Sequence, residues 1–176
     1  MYEVDLLDKV LKLDDAPRPD IGAPLPLVLS DEWRLLLAYI ISEPDPAWDG
    51  SNVNLVSPDS AGMKIALVSF QLPTAHMFGP PNDEAFSGHP LASRGLCPYG
   101  VFEIQNSSWI RKLERMNSVH PSHNRERYLA GLRHFVFAFH DSTFECIADG
   151  FRVQAFRGSM RSALSRMVDL LGKKQA

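Results

Sequence analysis

A chain of 176 residues with 45% hydrophobic and 22% charged side chains has the composition of a folded globular protein, long enough to bury a core. Wholesale disorder is excluded, and no apolar run approaches the ~20 residues that a membrane span needs. The net charge of −3 conceals a gradient: residues 1–60 carry 4 basic and 12 acidic groups, 61–106 carry 2 and 3, and 107–176 carry 12 and 6.

The first 26 residues are expected to form an arm or short helix with a Pro-rich connector, and residues 27–176 a single α+β domain. Leu6, Leu7, Val10 and Leu11 give residues 3–13 a short amphipathic pattern, and Pro17, Pro19, Pro24 and Pro26 then enforce extended chain. The acidic, interrupted start differs from a secretory signal, so a cytoplasmic protein is expected. Strands are predicted at 27–29, 34–42, 52–56, 63–72 and 99–105. Residues 43–51 read as a loop and 76–95 as a long irregular stretch. Ser107 or Ser108 can cap a helix with Trp109, Ile110, Leu113 and Met116 on one face. Ser122 can cap a second helix ending at Gly131, and Met160, Ala163, Leu164, Met167, Val168 and Leu171 keep helical spacing to the C-terminal side.

Between the helices, residues 132–156 read LRHFVFAFHDSTFECIADGFRVQAF and alternate strictly. A type I′ turn at Asp149-Gly150 and a turn at Asp141-Ser142 make a three-stranded antiparallel meander over about 133–156. It would pair Phe139 with Phe144 and Cys146 with Val153. Phe135, Phe137, Phe139, Phe144, Cys146, Ala148, Phe151, Val153 and Ala155 then share one apolar face. The other face is mixed: it holds His134, and it puts His140, Thr143, Glu145, Arg152 and Gln154 near one another. Strands, two short helices, meander and amphipathic helix together indicate an α+β fold with a largely antiparallel sheet.

The loop 78–95 is the first place to look for function, because long loops on rigid scaffolds carry binding residues. It concentrates Asn82, Asp83, Glu84, Ser87 and His89. Asn82 and Asp83 are candidates for binding, with turn capping as their ordinary alternative. His89 and His140 are candidate general bases that Glu84 or Glu145 would orient. His120 and His123, spaced i and i+3, and Arg152 are further binding candidates. No metal is expected: His134 and His140 lie about 20 Å apart along one strand, and no C-x-x-C or H-E-x-x-H supplies further ligands. No cofactor fingerprint or nucleophile motif is present. His140-Asp141-Ser142 is consecutive across a turn, so it is no hydrolase triad. Cys97 sits beside Pro98 in a turn, and Cys146 lies on the apolar face as a small buried hydrophobe.

PNDEAFSGHPL (residues 81–91), NSSWIRKLERMNSVH (106–120) and FHDSTFECIA (139–148) resemble stretches of a group of small, uncharacterised bacterial proteins. The resemblance covers roughly the C-terminal two thirds, as a coarse domain assignment, and implies a shared fold with no established activity. A negative balance, with Trp109 on an apolar stripe, argues against nucleic acid. The charge gradient reads as parts of the fold neutralising one another. The leading expectation is therefore an interaction or small-ligand-binding module without catalysis, whose partner is a protein or small molecule. The alternative is a small hydrolase or lyase with a His/carboxylate general base in a pocket closed by loop 78–95.

Overall fold

The computed structural model describes residues 2–44, 51 and 55–172. It is α+β, with two antiparallel sheets stacked face to face and helices on the outside. In chain order the strands are β1 (Lys9–Lys12), β2 (Leu27–Ser30), β3 (Leu35–Ile40), β4 (Met63–Gln71), β5 (Ala75–Gly79) and β6 (Gly100–Gln105). Helices α1 (Ser108–Asn117) and α2 (Arg125–Leu129) come next, then β7 (Arg133–Ala138), β8 (Thr143–Ala148), β9 (Gly150–Gly158) and α3 (Met160–Gly172). One sheet runs β1-β6-β7-β8-β5 and the other β2-β3-β4-β9.

The apolar alternation of 135–155 faces one interior, as its period requires. Phe135, Phe137, Phe139, Phe144, Cys146 and Ala148 meet Leu35, Leu37, Tyr39, Ala66, Val68 and Phe70 of the opposite sheet, and Phe151 and Val153 pack at its margin. Phe137 is edge-on to Phe70 at 5.8 Å and to Phe144 at 6.0 Å between ring centroids. Truncating any of these rings to alanine removes about 3–5 kcal/mol.

The pairing differs from the expected meander in two respects. Phe139 N–H donates to the Ser142 carbonyl at 2.9 Å, so the turn closes over His140-Asp141. Phe137 therefore pairs with Phe144 and Phe135 with Cys146, a shift of two residues that leaves every side chain on its predicted face. The larger correction is β9, which pairs with β4 over nine residues and not with β8. Neither Asp149 nor Gly150 takes positive φ, so no I′ hairpin forms. The chain bends there from one sheet into the other. Both sides of β8 are already filled, by β7 and β5, whereas β4 offers a nine-residue ladder. Arg152 and Gln154 consequently sit opposite Ser69 and Leu67 in the other sheet, away from His140 and Glu145.

The outer faces are covered by helices and loops. Met160, Ala163 and Met167 of α3 pack on Leu36, Ala38, Ile40, Ile65 and Leu67. On the other side, Trp109 and Ile110 of α1 join Tyr2 and Ile147, while Phe86, Leu91 and Leu96 cover Phe102, Val136 and Ala138. The helix expected at 3–13 does not form. A turn tied by Asp5 and Asp8 leads instead into β1, which pairs with β6. Leu6 and Leu7, the supposed apolar stripe, are largely exposed. Residues 76–79, expected to be irregular, belong to strand β5, and α2 is capped by Asn124 and not Ser122. Gly131 follows α2 at φ 85°, where a Cβ would lie 2.5 Å from Asp149 Oδ1. The strand expected at 52–56 and the loop at 43–51 lie largely outside the described residues.

Charges of the two ends pair across the fold. Arg111 meets Asp5 at 2.5 Å, Arg157 meets Glu43 at 2.7 Å, and Arg161 bonds Asp59. Three arginines of the basic C-terminal part are thus paired with carboxylates of the acidic N-terminal part.

Candidate functional site

Glu145 lies mid-way along β8, and the alternation that sends Phe144 and Cys146 into the core turns it outward. It is nevertheless buried, because α1, the N-terminal segment and the loop after β5 cover that face. Tyr2 Oη donates to Glu145 Oε2 at 2.6 Å, His134 Nε2 to the same oxygen at 2.9 Å, and His89 Nε2 to Oε1 at 3.2 Å. The tautomers follow from the far side of each ring. Leu91 N–H donates to His89 Nδ1 at 3.2 Å, which leaves the His89 proton on Nε2. Ser107 Oγ accepts Ile110 N–H as the cap of α1 and gives its own proton to His134 Nδ1 at 2.9 Å.

One carboxylate therefore accepts three donors in a site where none of the four residues exceeds 4% exposure. Burial pushes the Glu145 carboxyl up, but the bonds from His134, His89 and Tyr2, with the His134 charge interaction, outweigh it and hold the group at about 2. Burial and the neighbouring carboxylate push the Tyr2 phenol far up, so it remains a donor. Tyr2 stacks on Trp109 at 5.4 Å, and both rings meet His134 edge-on. All four ring nitrogens of His89 and His134 have protein partners.

A second histidine–carboxylate pair stands at the surface. His140 Nδ1 lies 3.0 Å from Asp83 Oδ2, and Tyr99 Oη donates to the same oxygen. Asp83 N–H donates to the His140 carbonyl at 2.8 Å, which locks the loop to the β7–β8 turn. The hydrogen bond from Tyr99, with the His140 charge, holds the Asp83 carboxyl below its usual range despite partial desolvation. The same bond pushes the Tyr99 phenol up to about 12. Tyr99 sits at φ 61°, an uncommon conformation for an aromatic residue. The His140 side chain is 38% exposed, and its Nε2 has no protein partner among the described residues.

The structure thus joins His89 to Glu145, and His140 to Asp83. Glu84 is exposed and touches neither histidine, and Asn82 Oδ1 accepts Ala85 N–H at 3.0 Å as a turn cap. His120 and His123 lie in the turn between α1 and α2, where His123 Nε2 is 2.9 Å from Glu114 and His120 Nδ1 accepts Ser122 N–H. Arg152 is exposed on β9. Tyr2 and Tyr99 carried no sequence signal, and Ser107 carried only that of a helix cap. His134 did, as the residue sharing the mixed strand face with Glu145.

No family model, curated protein or solved structure matches this chain.

Beside the buried network runs a groove of about 690 Å³. Glu3, Val4 and Asp5 form one wall, and Ser108, Arg111, Lys112, Arg115 and Met116 of α1 form the other. Val4 packs in the same cluster as Tyr2 and Trp109, so the network beneath fixes the distance between the walls. Asp8 reinforces this from the side: its Oδ1 accepts Ser108 N–H at 2.6 Å.

Proposed function

We propose that the protein is a cytoplasmic small-ligand-binding module without catalysis of its own, and that it binds in the groove between residues 3–5 and α1. One observation carries this reading: Lys112 and Arg115 line a preformed concavity and have no internal partner among the described residues. The size is that of small-molecule sites. The buried His89–Glu145–His134–Tyr2 network acts as the scaffold, since all its strong donors and acceptors serve to join the N-terminal segment, α1 and the loop to the sheet. The stretches 81–91, 106–120 and 139–148 supply His89, Ser107 and Glu145 to this region, which fits a binding scaffold common to the small bacterial proteins they resemble.

The test is a small-molecule library screened by backbone amide NMR shifts on the full chain. Hits that move residues 3–5 and 108–116 are expected; a library that never perturbs those amides defeats the reading.

A second reading rests on the His140–Asp83 distance of 3.0 Å. A carboxylate-oriented imidazole with a free Nε2 is the arrangement of a general base, in keeping with a small hydrolase or lyase. It requires that His140→Gln abolish turnover of an activated ester while the fold persists. Turnover that survives the substitution removes it.

A further inference from the structure

We propose that β5 pairs antiparallel with β5 of a second copy of this chain, about a twofold axis at Met77, so that two five-stranded sheets become one. The inference owes nothing to the groove. Among the described residues, β1, β2, β5 and β9 are the strands at sheet edges. Native edges are guarded by charge or kept covered, since their free N–H and C=O groups invite another strand. β1 carries Lys9 and Lys12, and β9 carries Arg152 and Arg157, all exposed. β2 is short, and its Leu27, Val28 and Leu29 are packed against the cores. β5 has neither guard. No Asp, Glu, Lys or Arg occurs from Leu72 to Asn82, and His76 and Phe78 stand exposed on the strand, Phe78 by 47%.

Phe139 N–H donates to the Ser142 carbonyl, and the alternation of an antiparallel ladder then points the backbone groups of Thr143, Glu145 and Ile147 toward β5. Their opposites Gly79, Met77 and Ala75 are the bonded residues, so the N–H and C=O of His76 and Phe78 face outward. A twofold at Met77 sets His76 against Phe78 of the second copy, twice, and each pair exchanges both bonds. The ends match as well. Pro80, with no N–H to give, falls opposite Thr74 of the second copy, whose N–H is already bonded to the Ile147 carbonyl at 2.8 Å. Pro73 falls opposite Pro81. The free run of one strand therefore stops where the other stops, and a longer foreign strand would gain no bond beyond it.

The side chains agree with this register. Phe137, Phe144 and Phe78 form one cross-strand row on the inner face, which ends at the exposed Phe78. His76 of the second copy continues that row, followed by its Cys146 and Phe135. Aromatic cross-strand pairs stabilise a sheet, and no like charges meet. A charged strand from another protein would find no counter-ion on β5. The strand is its own complement.

The experiment is sedimentation velocity of the full chain from micromolar to millimolar concentration. Two five-residue strands bury little area, so the dimer is weak and forms by mass action. The average mass rises from that of the monomer toward twice that value. Phe78→Lys puts a charge on the edge, and His76→Pro removes an outward N–H that β8 does not use. Each variant keeps its circular dichroism and stays monomeric over the whole range. The register has its own test in a Cys97→Ser background, which removes the exposed thiol. There Met77→Cys meets its counterpart in a non-hydrogen-bonded pair with Cα atoms about 4.5 Å apart, within reach of a disulfide. Oxidised glutathione links the two copies through it, whereas Gln154→Cys, midway along β9, stays unlinked. A chain that remains monomeric at every concentration overturns the proposal, as does a dimer that survives both Phe78→Lys and His76→Pro. Linkage through Gln154→Cys in place of Met77→Cys moves the interface to β9 and equally overturns it. A monomer whose His76 and Phe78 amides shift with an uncharged extended peptide assigns the edge to another protein, and the second copy falls.

Discussion

His89 and His140 each meet a carboxylate, at 3.2 Å and 3.0 Å, yet the two pairs do different work. At His89 every polar atom is matched and water is shut out; the side chain is 1% exposed. At His140 the carboxylate holds one ring nitrogen and leaves the other to solvent. Distance between imidazole and carboxylate is thus a poor guide to role. What separates scaffold from chemistry is whether a lone pair remains for something outside the protein.

The largest effect that can break this comparison lies at Glu145. Glu145→Gln puts an amide N–H₂ among three donors, so at least one of Tyr2, His89 and His134 loses its acceptor in a buried site. A loss of about 3–5 kcal/mol is expected, as for other broken buried pairs. Urea unfolding at neutral pH measures it, and a change within experimental error would show that the network is no scaffold. The second effect is acid sensitivity. The carboxyl is held at about 2 against an ordinary 4.5. A depressed folded pKa means stability present above pH 4.5 and lost as pH falls from there toward 2. The drop is about 3 kcal/mol, and it should vanish in Glu145→Gln. A variant as acid-labile as the parent would assign the loss to other carboxylates.

The inward face of this region was readable because period 2 is local. Phe135, Phe137, Phe144 and Phe151 declare their side of the strand whatever pairs with it. Partner choice is not local. Asp149-Gly150 is the dipeptide of a tight hairpin, and only β5 on the far side of β8, together with the length of β4, turns it into a passage between sheets. The same limit hid the sites. Glu145 and His134 lay on one predicted face. Tyr2 reaches Glu145 across 143 residues and Asp83 reaches His140 across a loop contact, so no spacing in the sequence encodes them. Residues 3–13 misled for a related reason: their leucines keep helical spacing, but four residues at 9–12 gain more by completing an edge of the sheet.

The smallest effect belongs to the surface pair, and it sharpens the contrast from the other side. Asp83 is tied to Tyr99 and His140 in a setting that water reaches, so Asp83→Asn should leave the urea midpoint close to that of the parent. Its mark is chemical. Tyr99 ionises at about 12 because Asp83 accepts its proton in a hydrogen bond beside a negative charge. With asparagine there the charge is gone, and the phenol should ionise near its ordinary 10. Tyrosine ring carbon shifts followed by NMR through alkaline pH resolve this one residue among four. A Tyr99 titration unmoved by the substitution would mean that the phenol's shift has another source. Asp83 would then lose its claim to orient His140, and with it the surface pair's claim to chemistry.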